Sequence, residues 1–136
     1  MIKVAMTNVF VDDVAKAHAF YTDVLGFETR TNLDLGGGTL FITVGAPDGA
    51  QPDLQLLLEP GDSPIAEPYR RALYEAGIPA IVFSVDDIRA QYDRLRALGV
   101  RFTHEPQQQG PVLAAVLDDT VGNYVQLAQP LERPAG

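Results

Sequence analysis

Apolar residues along this chain follow two periodicities, and the change from one to the other occurs twice. The apolar runs 2–11 and 79–85 are rich in residues that favour strands, and an acidic pair follows each of them. Beyond each pair, apolar residues recur at about 3.6-residue spacing, which predicts a helix. These helical apolar positions are Val14, Ala17, Tyr21, Val24 and Leu25 in the first copy and Ile88, Tyr92, Leu95 and Leu98 in the second.

Each predicted helix begins at an acidic pair and ends at a glycine. We interpret the pairs 12–13 and 86–87 as helix N-caps rather than as a catalytic carboxylate couple. Gly26 and Gly99 occupy the position where helices commonly end. Three strand-like runs then follow in each half: 27–33, 39–45 and 53–59, and later 100–104, 111–117 and 123–129.

Two long stretches repeat each other at an offset of about half the chain. Residues 9–30 match residues 82–103, with Val11 and Val85 separated by 74 positions (85 − 11). The later segments LLLEP and QLAQP also match, which aligns Leu56 with Gln126 at an offset of 70 (126 − 56). A period of this length indicates two similar modules rather than a solenoid.

The sequence therefore predicts an α+β fold with two βαβββ modules in tandem. We expect their strands to form a curved mixed sheet with the helices on its outer face, in a single domain over residues 1–136. The first module covers about 1–60 and the second about 79–130, and the intervening residues 61–78 form a linker with a short amphipathic helix.

Composition narrows the classes of function. The formal net charge is −8, which argues against binding to nucleic acid or to an anionic membrane surface. The chain contains no cysteine, so thiolate nucleophiles and cysteine–zinc sites are excluded. We expect no signal sequence, because the N-terminal apolar run is too short for one, and no apolar run approaches the roughly 18 residues needed to span a bilayer. We therefore expect a cytoplasmic protein.

Three segments resemble a known family. VFVDDVAKAHAFYTDVLGF resembles the opening of vicinal oxygen chelate proteins, which include glyoxalases, bleomycin-resistance proteins and extradiol dioxygenases. VDDIRAQYDRLRALGVRF resembles the second-module counterpart, and DDTVGNYVQLAQ resembles the closing hairpin. The resemblance covers nearly the entire chain and implies the fold. It does not select an activity, since the family includes isomerases, dioxygenases, epimerases, transferases and non-catalytic drug binders.

The resemblance also implies four positions at which metalloenzymes of this family hold their metal ion. Two of these positions lie on the first strands of the modules, and here they are Met6 and Ala80. The other two lie on the last strands, and here they are Leu56 and Gln126. Leucine and alanine cannot ligate, methionine is a soft ligand suited to copper(I), and one neutral glutamine cannot offset the dehydration of a divalent cation. We therefore expect no metal and no cofactor.

Strand alternation places further residues on the face that carries these four positions. The predicted ligand-binding residues are Met6, Asn8, Leu56, Leu58, Ala80, Val82, Tyr124 and Gln126. A mostly apolar face with a few polar groups is typical of a small-molecule pocket. The alternative is that a partner subunit or the other module fills the concavity.

We interpret the chain as a metal-independent binder of a small organic molecule, aromatic or antibiotic-like, similar to the bleomycin-resistance branch. One alternative is a metal-dependent lyase or dioxygenase of the glyoxalase type, with ligands elsewhere. Another is a non-catalytic dimeric interaction module. The sequence identifies no catalytic residue, and whether the protein is an enzyme stays open. The expected partners are a small-molecule ligand and a second copy of the chain in a homodimer, with no nucleic acid and no membrane.

Overall fold

The computed structural model describes residues 1–131, which divide into two compact units. The first unit contains Met1–Ala72 together with Thr120–Gly122, and the second contains Leu73–Asp119 and the residues from Asn123 onward. Each module has the element order β-α-β-β-β. The predicted α+β fold of two tandem βαβββ modules is confirmed.

The first module forms one mixed sheet of four strands. Its strands are β1 (Met6–Val11), β2 (Glu28–Asp34), β3 (Leu40–Gly45) and β4 (Gln55–Pro60), in the spatial order β1-β4-β3-β2. β1 pairs with β4 in parallel, and the other pairs are antiparallel. Helix α1 (Val14–Ala19) follows β1 and continues into a π-helical segment, Phe20–Val24.

The second module repeats this topology with its own sheet. Its strands are β5 (Ile81–Ser84), β6 (Gln107–Gln109), β7 (Val112–Asp118) and β8 (Tyr124–Pro130), in the spatial order β5-β8-β7-β6. β5 pairs with β8 in parallel, as β1 does with β4. Helix α3 (Ile88–Ala97) follows β5, and helix α2 (Ala66–Glu75) connects the modules in sequence. No helix within residues 1–131 is long and apolar enough to cross a membrane.

The acidic pairs cap the helices as predicted. The side chain of Asp13 accepts a hydrogen bond from the backbone N–H of Lys16 at 3.0 Å, and Asp87 accepts one from Ala90 at the same distance. Such caps stabilise a protein by about 1 kcal/mol each.

One predicted strand of the second module is wrong. Over 100–104 the chain makes a single isolated bridge, between Phe102 and Leu117, instead of a strand. The third partner in the sheet is β6, a polar Gln-Gln-Gln stretch without the apolar alternation that predicts a strand. It pairs with β7 because a tight turn at Gly110, whose φ is +58°, folds the two segments into a hairpin.

The core of each module lies between its helix and one face of its sheet. In the first module the buried side chains on that face are Val9, Val11, Ile42, Val44, Leu56 and Leu58, packed with Ala17 and Tyr21 of the helical segment. In the second they are Ala115, Leu117, Val125 and Leu127, packed with Ile88, Tyr92 and Leu95 of α3. We call the opposite face of each sheet its far face.

A β-bulge in β2 directs one arginine into the loop that follows β3. The register between β2 and β3 shifts between Thr29 and Thr31, which leaves Arg30 as the extra residue. Its guanidinium donates hydrogen bonds of 2.9–3.1 Å to five backbone oxygens, those of Ala46, Ala50, Gln51, Pro52 and Leu54. The guanidinium occupies the space that a Cβ on Gly45 would need. Arg30 thereby orders the loop 46–54.

Candidate functional site

The register of the first sheet corrects the predicted face of β4. Asn8 pairs with Leu57, and Val9 pairs with Leu58. Side chains paired in this way project to the same side of a sheet. Leu57 therefore shares the far face with Asn8, whereas Leu58 shares the core face with Val9. The prediction that Leu56 and Leu58 lie on the face of Met6 and Asn8 is wrong; their exposed fractions are 6% and 0%.

The repeat alignment is wrong by one residue at the last strands of the two modules. Val9 pairs with Leu58, and its equivalent Phe83 pairs with Leu127. The last strands therefore correspond at an offset of 69 (127 − 58), not the 70 that aligns LLLEP with QLAQP. A one-residue change moves every side chain of a strand to the other face. The position equivalent to Gln126 is therefore Leu57.

With this correction, the four positions that the family resemblance implies for a metal ion are Met6, Leu57, Ala80 and Gln126. A thioether, two aliphatic side chains and one neutral amide do not fit a divalent ion, which needs about three oxygen, imidazole or thiolate ligands. No three histidine, aspartate or glutamate side chains lie close enough together within residues 1–131 to hold a metal ion elsewhere. The side chains at these positions therefore do not fit a metal-dependent reaction.

The second module brings four of the predicted residues together on its far face. Val82 pairs with Gln126, and the N–H of Ala80 donates to the backbone oxygen of Tyr124 at 2.9 Å. Strand alternation therefore places Ala80, Val82, Tyr124 and Gln126 on one side, with the buried Val125 on the other. Val82 is 56% exposed and Gln126 is half-buried.

Sequence reasoning missed an aromatic residue at this site. Tyr74, in the last turn of α2, stacks on Tyr124 with ring centroids 4.6 Å apart and planes 6° from parallel. Its hydroxyl donates a hydrogen bond of 2.6 Å to Oδ2 of Asp118, the residue of β7 that lies opposite Tyr124. This hydrogen bond, together with partial burial, raises the pKa of Tyr74. The sequence contains no local signal for this contact, because it joins a helix to a strand hairpin 44 residues away.

The turn between β7 and β8 sets the position of Tyr124 and Gln126. Asp119 is fully buried and accepts hydrogen bonds of 2.9 Å from both the backbone N–H and the side-chain amide of Asn123. A buried carboxylate that receives two such bonds holds the turn in one conformation. The start of β8 is thus fixed relative to the end of β7.

The polar side chains of the two far faces differ in their bonding. In the first module, Asn8 donates to Glu59 at 2.6 Å, and Oε1 of Gln55 accepts from Thr43 at 2.6 Å and from Thr31 at 3.3 Å. In the second, the side-chain amide of Gln126 makes no hydrogen bond to any other residue within the range 1–131. Gln126 is therefore available to bond to a ligand.

A cavity of about 390 Å³ lies in the first module. Its lining includes Asp12, Asp13 and Asp62 beside apolar side chains of β1 and α1. Asp13 already caps α1. The cavity contains none of the predicted ligand-binding residues.

The chain is similar to known proteins along most of its length. It is 41% identical over 128 residues to the uncharacterized protein YurT of Bacillus subtilis (strain 168), which covers 94% of this chain and 99% of that protein. Among solved structures, it matches UcmS2 with a TM-score of 0.79 and 31% identity, over 94% of this chain and 98% of that one. It matches TnmS3, an antibiotic binding protein from Streptomyces sp. CB03234, with a TM-score of 0.71 and 26% identity, over 96% and 97%.

The sequence model of one family matches almost the whole chain. Residues 3–127 fit the Glyoxalase/Bleomycin resistance protein/Dioxygenase superfamily. The paired βαβββ modules and their parallel first and last strands agree with this match. The chain belongs to the glyoxalase/bleomycin resistance protein/dioxygenase superfamily.

Proposed function

We propose that this protein binds a small, flat organic molecule on the far face of its second sheet, without a metal ion. The observation that carries the proposal is the unbonded amide of Gln126, which lies one strand step from the stacked rings of Tyr74 and Tyr124. Gln126 is only half-buried, and no fully buried polar side-chain atom within residues 1–131 lacks a partner, so its amide is open to solvent and can exchange water for a ligand. A ligand with a carbonyl or amide group would satisfy this amide.

The chemistry of these side chains suits an uncharged polar aromatic ligand. Glutamine offers both a donor and an acceptor, and because it is neutral it can be covered without the cost of burying a charge. Tyr124 and Gln126 are two residues apart, about 6.6 to 6.8 Å along the strand. A ligand of ordinary size can therefore stack near Tyr124 while it hydrogen-bonds to Gln126.

Small and apolar side chains surround these two groups. Ala80, Val82 and Ala128 share the far face with Gln126 by strand register. The alanine side chains are small, and Val82 offers an exposed apolar surface. This combination of an apolar floor with few polar groups is typical of small-molecule sites. The similarity to TnmS3, an antibiotic binding protein, supports an antibiotic-like ligand.

The proposal is tested by a thermal-shift screen of aromatic metabolites and antibiotics, followed by calorimetry on each hit. We expect Gln126→Leu to weaken binding by roughly 1 to 3 kcal/mol, or about 5- to 150-fold in Kd, because the ligand's polar group loses its partner. Gln108→Leu is the matched control. Gln108 is exposed and lies opposite Leu113, so it projects from the other face.

Two results would contradict the proposal. Hits that bind wild type and Gln126→Leu with equal affinity would place the site elsewhere on the chain. A broad library that yields no hit would favour a role in protein interaction instead.

A further inference from the structure

The ring of Tyr74 is held more firmly than its partial exposure suggests. A tyrosine side chain has two torsions, and here its ring stacks on Tyr124 while its hydroxyl bonds to Asp118. Asp118 and Tyr124 lie opposite each other in the β7–β8 pairing, so both anchors belong to one hairpin. A side chain fixed at its ring and at its tip is pre-organised and loses little freedom when it contacts a ligand.

The two rings form a nearly parallel stack, and Tyr74 is only half-buried, so a flat ring packed against its outer side would extend the stack. Their planes differ by 6°, and a centroid separation of 4.6 Å is typical of the favourable offset arrangement. A fused aromatic ring system can overlap such a pair over a wide area. A saturated ring system of the same size is puckered and makes fewer contacts of this kind.

We propose that Tyr74 contacts the ligand and makes the site selective for fused aromatic rings, and that Asp118 is the positioning residue that fixes the Tyr74 ring. This inference rests on the proposed ligand site beside Gln126. It adds to that site a chemical class of ligand, fused aromatic rings, and a contact residue from helix α2, Tyr74. A purely structural role for Tyr74 would affect stability but not the preference between flat and puckered ligands.

The test uses two uncharged probes that share one polar group. Naphthalene-2-carboxamide is flat, and decahydronaphthalene-2-carboxamide has the same skeleton but puckered rings; both carry an amide that can pair with Gln126. We expect wild type to prefer the flat probe roughly three- to tenfold by calorimetry or NMR titration, the range that one aromatic contact supplies.

Three variants then separate the roles of ring and hydrogen bond. Tyr74→Leu should abolish the preference because the ring is gone. Tyr74→Phe should keep most of the preference, since the ring and its stacking on Tyr124 remain. Asp118→Ala should reduce the preference without abolishing it, because the ring stays but is less well fixed.

A second measurement needs no variant, in case Tyr74→Leu fails to fold. In wild type, NMR should give intermolecular contacts between the naphthalene protons and the ring protons of Tyr74. Their absence would overturn the inference, as would an equal affinity for both probes that Tyr74→Leu leaves unchanged.

The experiment also distinguishes this inference from the proposed function. Binding of both probes that Gln126→Leu weakens, with no dependence on Tyr74, would overturn only the role of Tyr74. Failure of both probes to bind, or binding that Gln126→Leu leaves unchanged, would overturn the ligand site and this inference together.

Discussion

The two sheets have the same topology, but the polar side chains on their far faces differ in hydrogen bonding. In the first module Gln55 accepts hydrogen bonds from two threonines, and Asn8 donates to Glu59. In the second module the side-chain amide of Gln126 makes no hydrogen bond to another residue of the range 1–131, and a pair of stacked tyrosines lies nearby. Under the proposed function, the duplicated fold uses equivalent surfaces differently, for internal hydrogen bonds in the first module and for ligand recognition in the second.

The largest expected effect tests which face of β4 is the core. Leu58→Ala should lower the free energy of unfolding by about 2 to 5 kcal/mol, because Leu58 is fully buried and its removal leaves a cavity. Leu57→Ala should cost about half as much or less, because Leu57 is half-buried on the far face. Urea denaturation of both variants provides the measurement. The reverse order would restore the face that the repeat alignment predicts.

The next largest expected effect is the difference in stability between variants of Gln55 and of Gln126. Gln55→Leu should destabilise the protein by roughly 1 to 3 kcal/mol, since it leaves the buried hydroxyl of Thr43 without its acceptor. Gln126→Leu should change stability by about 0.5 kcal/mol or less. Adding Thr43→Val to Gln55→Leu should recover part of the loss, as both partners are then apolar. Equal destabilisation by the two glutamine variants would remove the distinction between the faces.

A smaller effect concerns the hydroxyl of Tyr74 at alkaline pH. Its pKa is raised in the folded protein by the hydrogen bond to Asp118, so the unfolded chain releases this proton first, near pH 10. The resulting stabilisation is complete below pH 10 and declines as the pH rises above it. Between pH 9 and 11, wild type should therefore lose more unfolding free energy than Tyr74→Phe. Parallel pH profiles of the two proteins would argue against the Tyr74–Asp118 bond.

The smallest expected effect is that of divalent metals. Met6, Leu57, Ala80 and Gln126 supply one weak oxygen donor between them. We expect the untagged protein, dialysed against zinc, nickel, manganese or iron(II), to retain far less than one ion per chain by elemental analysis. Stoichiometric metal that is lost in Gln126→Ala would sink this expectation and support the enzymatic alternative.

The repeat and the helix boundaries were predictable because their signals are local. Two Val-Asp-Asp segments, each followed by helical apolar spacing, give the module order, and the N-caps at Asp13 and Asp87 follow from the same residues. The far face of β8 was predictable for a related reason. Polar Gln126 alternates with apolar Val125 and Leu127, so its direction can be read from the sequence.

The far face of β4 was not predictable in this way. Leu56, Leu57 and Leu58 are identical side chains, and a run without polar alternation does not show which member faces the core. Tyr74 was missed because its stacking depends on tertiary contacts. The ligand, the homodimer and the cytoplasmic location stay predictions.

The bulge at Arg30 has a consequence for how this chain can vary during evolution. The guanidinium of Arg30 donates to five carbonyl groups and occupies the space beside Gly45. Arg30 can take this position only if residue 45 has no side chain, and a glycine is required at 45 only if the arginine is present. Lysine cannot substitute, since an ammonium has three donors and no planar fork. We therefore expect positions 30 and 45 to covary among homologous chains. Where the arginine is absent, the glycine should be free to change and the loop free to change length.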